Sequence, residues 1–118
     1  MNILVLGGTR YVGLGLVKTI LETSNFPNVY TLSRNDNEHN KQFHFVQSRN
    51  DQNGLKKILS KVKPYIIVDM ICFSSKDSES ILNLKKTGYL ESVSHYIVIS
   101  SFFVYNHFSL KKFTEQKL

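Results

Sequence analysis

The sequence predicts an α/β protein built on a doubly wound parallel sheet of about five strands, and three observations predict it. Short apolar runs alternate with helix-periodic segments along the whole of the 118 residues. Two of the runs, 65–73 and 95–105, are almost continuously apolar, as strands covered on both faces are. The first run stops at a glycine pair that opens a helix, and right-handed crossovers then place that first strand centrally.

Residues 2–6, NILVL, form the first strand, ended by Gly7 and Gly8. A helix follows from about Tyr11, with Val12, Leu16, Val17, Ile20 and Leu21 three or four apart on one face and a polar end at 22–25. Pro27 and Asn28 make a turn into a second strand, VYTLS at 29–33, and residues 34–42 are too hydrophilic to bury. FHFVQ at 43–47 alternates as a half-exposed third strand does. Asp51 is placed to cap a helix carrying Leu55, Ile58, Leu59 and Val62, which Pro64 ends. YIIVDMICF at 65–73 is the fourth strand. Burial would disfavour the charge of Asp69 within it, unless Asp69 sits at the strand's carboxyl end and accepts backbone or hydroxyl hydrogen bonds. Residues 74–94 read as a helix bearing Ile81, Leu82, Leu84 and Leu90 with a break near Gly88, and HYIVISSFFVY at 95–105 is the fifth strand.

Composition narrows the function classes. No apolar run approaches the roughly 20 residues that span a bilayer, and the N-terminus shows no signal-peptide pattern, so a cytoplasmic location is expected. The single cysteine, Cys72, lies in an apolar run and reads as a buried thiol. The four histidines have no metal-ligand spacing, so no metal site is expected. A net charge of +6 raises the question of nucleic acid, but Lys56/Lys57, Lys85/Lys86 and Lys111/Lys112 are dispersed pairs beside helical apolar positions, the pattern of solvated faces.

The glycine stretch carries the chemistry. Gly7 permits a tight turn, Gly13 permits close helix–strand approach, and the helix N-terminus between them offers free amides and partial positive charge to a pyrophosphate. Without a ligand, the same stretch is a glycine-rich strand-to-helix turn. In such sheets an acid at the end of the second strand holds the ribose hydroxyls of NAD, whereas an arginine accommodates the extra phosphate of NADP. Ser33-Arg34 stands there, so NADP is expected, with NAD as the alternative through Asp36.

GGTRYVG at 7–13 resembles the G-x-x-G-x-x-G turn of the NAD(P)-dependent epimerase/dehydratase family, the extended short-chain dehydrogenase/reductase group. Arg10 in place of the middle glycine resembles a branch that includes chloroplast stem-loop RNA-binding proteins and bacterial relatives with GGTRFIG-like loops. The resemblance implies a Rossmann-like domain over residues 1–118, truncated to about five strands, with the substrate domain absent. It implies cofactor contacts from Gly7, Thr9, Arg10, Tyr11, Val12 and Gly13, from Ser33 and Arg34, from Ile71 after the fourth strand and from Ser100 after the fifth. Residues 47–59 resemble the stretch after the third strand, where an Asp near the adenine has Ser48 in its place. YIVISSFFVY at 96–105 resembles the fifth-strand signature, whose substrate-polarising serine is Ser101.

The family's acid/base tyrosine, with a lysine four residues on to lower its pKa, has no counterpart: no tyrosine here has a lysine at that spacing. The expected function is therefore an NADP(H)-binding module that does not catalyse alone, pairing with itself or a complementary chain through an exposed fifth-strand edge. A non-catalytic nucleotide-sensing or RNA-binding regulatory protein is the second reading, and a fragment without a function of its own the third.

Overall fold

The computed structural model describes residues 2–7, 15, 17–20, 22, 28–36 and 43–99. Five parallel strands, β1 (Asn2–Leu6), β2 (Asn28–Ser33), β3 (His44–Val46), β4 (Ile66–Asp69) and β5 (His95–Val98), form one sheet in the order β3-β2-β1-β4-β5. β1 is central as expected, with Leu4 opposite Tyr30 on one side and Ile67 on the other.

Strand alternation sorts the core into two layers. Leu4 and Leu6 pack with Leu32, Ile67 and the buried faces of α1 (Gln52–Val62) and α2 (Ser75–Lys86). Ile3 and Val5 point the other way, onto Val29, Val68 and Val17. Val17 belongs to the helical residues 15, 17–20 and 22 that follow β1, so helices cover both faces. The helix after β1 and those after β3 and β4 lie on opposite faces because the chain moves in opposite directions across the sheet, and each crossover keeps its right hand.

α1 forms as the sequence predicts. Asp51 caps it by accepting from the Gly54 amide at 3.1 Å, Leu55, Ile58, Leu59 and Val62 are buried, and Lys63 closes it at φ 48° before Pro64. α2 begins with a reciprocal capping box between Ser74 and Asp77. It is shorter than the 74–94 expectation, because Thr87 ends it and Gly88 turns away at φ +87°. Leu84 is fully buried, but Leu82 is 49% exposed and does not belong to the apolar face. Leu90 is buried from the turn beyond the helix.

Two strands differ from expectation. β4 stops at Asp69, four residues before the end of its apolar run, because the Asp69 carboxylate takes the Ile71 amide and turns the chain out of the sheet. β5 is an edge strand with Ile97 44% exposed, not a strand covered on both faces; residues 100–105 lie outside those described.

Leu84→Ala is expected to cost about 2–5 kcal/mol in urea unfolding, since it opens a cavity between α2 and the sheet. Leu82→Ala should stay within about 0.5 kcal/mol of the parent. Equal losses would contradict this placement of the helix.

Candidate functional site

All five strands run the same way, so their carboxyl ends share one edge of the sheet. The order reverses between β1 and β4. Val17, after β1, packs on one face of the sheet and α2, after β4, on the other, so the two connections diverge to opposite faces at this switch point, the place where sheets of this kind bind ligands.

On the β1 side stands Gly7, at φ +93°, its amide donating to Leu32 O at 2.7 Å. A Cβ on Gly7 would lie 2.6 Å from Ile71 Cγ2. Left-handed backbone and close approach thus both demand glycine there. Gly7 and Ile71 are packed against each other at the switch point. Ser33 ends β2, and Arg34, the next residue, is exposed. Thr9, Arg10, Tyr11, Val12, Gly13, Ser100 and Ser101 lie outside the described residues.

Behind the β4 side is a buried polar cluster. Asp69, fully buried at the strand's end, accepts from the Arg49 guanidinium and the Tyr96 hydroxyl through Oδ2 and from the Ile71 amide at 3.2 Å through Oδ1. It therefore takes the backbone and hydroxyl partners that the sequence anticipates, and a charged one besides. Arg49, also buried, donates through Nη2 to the Asp77 carbonyl at 2.8 Å, and its Nε lies 3.9 Å from Asp77 Oδ1. Asp77 accepts the Phe73 amide at 2.8 Å, the Ser74 amide at 3.2 Å and the Asn50 side-chain amide at 3.1 Å.

These partners fix the charges. Burial opposes the Arg49 charge, but Asp69 more than offsets it and keeps the guanidinium protonated. Burial and then the Asp69 charge push the Tyr96 phenol well above its ordinary value, so Tyr96 is a held proton donor and not an acid/base group. Burial likewise pushes the Cys72 thiol up, leaving it 3.4 Å from Ser78 Oγ as an inert thiol.

Arg49 is the residue that the sequence reading passes over. The signal was present: a lone aspartate in an apolar strand needs a buried cation, and only Arg10, Arg34 and Arg49 are arginines.

No family model and no curated protein sequence matches the chain. Solved structures do. UDP-glucose 4-epimerase from Thermotoga maritima, crystallised with UDP-glucose, superposes with a TM-score of 0.64 at 20% identity over 83% of this chain. The fold is Rossmann-like. dTDP-glucose 4,6-dehydratase from Bacillus anthracis, in complex with NAD, gives 0.62 at 16% identity over 85% of the chain. The Bordetella bronchiseptica enzyme WbmG, also with NAD, gives 0.64 at 15% over 83%. The Rossmann-like chain spans little more than a third of each of these proteins, 37%, 36% and 36% of their lengths. At 20% identity or less the likeness is one of fold. Among the described residues no group of His, Cys, Asp and Glu is disposed to hold a metal, and no helix is long and apolar enough to cross a membrane.

The cluster has a pH signature. Burial alone pushes the Asp77 carboxyl up, but the Phe73 amide, Asn50, Arg49 and Ser74 together hold it below its ordinary value. A depressed folded value means that its contribution is present above the unfolded carboxyl pKa of about 3.9 and is lost as pH falls through the lower folded value. Asp77→Asn is expected to lose about 1–3 kcal/mol at pH 7 and to flatten the acid limb between about pH 4 and 2. Urea midpoints across that range read both effects.

Proposed function

We propose that the chain is the dinucleotide-binding module of an NAD(P)-dependent epimerase/dehydratase-type oxidoreductase, that it prefers NADP, and that it does not turn over substrate alone. The observation that carries this is the reversal of strand order between β1 and β4, with Gly7 in the left-handed region at the end of β1. Residues 7–13 then hold the pyrophosphate, with Gly7, Thr9, Tyr11, Val12 and Gly13 contributing backbone and Arg10 a charge.

The chemistry at the end of β2 suits the extra phosphate of NADP. A hydroxyl on Ser33 and an exposed guanidinium on Arg34 stand where the diol of NAD would need an acid, and Asp36 lies two residues further on. Ile71 and Ser100 face the nicotinamide half of the ligand, and Ser101 polarises substrate. A bound nicotinamide dinucleotide supplies the hydride acceptor or donor. The chain's own part is to bind and orient it, because it has no tyrosine with a lysine four residues on. NAD in two of the similar structures supports a nicotinamide dinucleotide as ligand.

The outer edge of β5 adds a partner. Ile97 and Ile99 are 44% and 37% exposed on the face opposite Tyr96, beside unpaired backbone groups among the described residues. Such an edge pairs with a second copy of the chain.

Calorimetric titration is expected to give tighter binding of NADP than of NAD, and Arg34→Asp to weaken NADP by about tenfold or more while sparing NAD. An unmoved ratio would remove the NADP assignment. Sedimentation should show concentration-dependent association that Ile97→Lys abolishes, and a parent that is monomeric throughout would refute pairing through β5.

A further inference from the structure

Arg34 sits between two anchored residues, and the anchor comes from the neighbouring strand. His44 lies opposite Thr31 in the β2–β3 register, so both side chains share a sheet face with Ser33. Its Nε2 is 2.7 Å from the Asn35 carbonyl oxygen. A carbonyl only accepts, so Nε2 carries the proton and donates. On the other side of the ring the Thr31 hydroxyl lies 2.6 Å from Nδ1. Thr31 is fully buried.

The imidazole therefore spans from the interior of β2 to the first turn beyond it. Ser33 Oγ reinforces the same point, donating to the Asn35 carbonyl at 2.7 Å and accepting the Asn35 amide at 3.3 Å. The Ser33 carbonyl is itself taken by the Gln47 amide at 2.8 Å. Backbone on both sides of Arg34 is thus held, while its side chain stays exposed.

We propose that His44 is a positioning residue for NADP selectivity: by fixing the Asn35 carbonyl it sets the direction in which Arg34 leaves the sheet, toward the 2′-phosphate. This rests on the NADP reading given above. Holding a long cationic side chain's root before binding reduces what the ligand must order, and the gain accrues only to the ligand that Arg34 touches. A merely structural histidine would change both cofactors alike.

The test is calorimetry of the full 118-residue chain with NADP and NAD in parallel. His44→Phe keeps the ring and removes both nitrogens; His44→Gln restores a donor. His44→Phe should weaken NADP by about tenfold with NAD within about twofold, and His44→Gln should recover most of the difference. An unchanged ratio in His44→Phe, or equal weakening of both cofactors, overturns the proposal while Arg34→Asp still abolishes selectivity. Should Arg34→Asp itself leave the ratio in place, the NADP reading is what fails, and the role of His44 falls with it. Nitrogen-15 spectra of the parent's imidazole test the anchor without any variant: an Nε2–H tautomer at neutral pH supports it, and an Nδ1–H tautomer overturns it.

Discussion

One carboxylate in a dry interior organises the carboxyl end of the sheet beside β1. Asp69 ends the strand next to β1 with no exposed surface, and a charge so placed persists only with partners. Arg49 supplies the opposite charge from the β3–α1 turn, and Tyr96 adds a hydroxyl from β5. Arg49 is buried in its turn and leans on Asp77 at the head of α2. Each partner would be stranded without the next, and a stranded buried charge costs about 3–5 kcal/mol. Four elements are bound into one unit at the end of the sheet where the chain must open.

That unit reaches the end of β1 through a single side chain. Asp69 Oδ1 captures the Ile71 amide, and Ile71 then lies where a Cβ on residue 7 would have to be. Gly7 is fixed by the protein's own packing as well as by its backbone angle, so the glycine is required whether or not a phosphate is present. What separates a binding turn from a plain strand-to-helix turn is therefore not Gly7 but the groups that meet the anion, the amides of the turn and the cation at the end of β2.

The sheet was legible because period-two apolar runs and three-to-four-residue helical spacing report burial directly, as Leu55, Ile58, Leu59 and Val62 do. Strand lengths were not legible. The apolar run at 65–73 continues through Met70, Ile71 and Cys72, whose side chains are half-buried or buried outside the sheet, so composition does not mark the point at which Asp69 turns the chain. Leu82 misled for the same reason: an apolar residue on a helix need not face inward, since folded surfaces carry many apolar atoms. The turn at Gly7 and the end of β2 before Arg34 follow from the apolar runs that precede them. The Arg49–Asp69 and His44–Asn35 contacts join residues 20 and 9 apart across different strands, which no local pattern encodes.

The two sets of polar contacts do different work. The Arg49 cluster is buried and its charges are paired, although Arg49 Nε has no hydrogen-bond partner among the described residues, so its contribution is to stability. The His44 contacts border solvent, and Arg34 is exposed, where substitutions typically move stability by no more than about 0.5 kcal/mol. On the proposed reading, cofactor choice rests with the β2–β3 edge. Changing the charge at Arg34 leaves the cluster around Asp69 intact, because neither Arg49, Tyr96 nor Asp77 bonds to that edge.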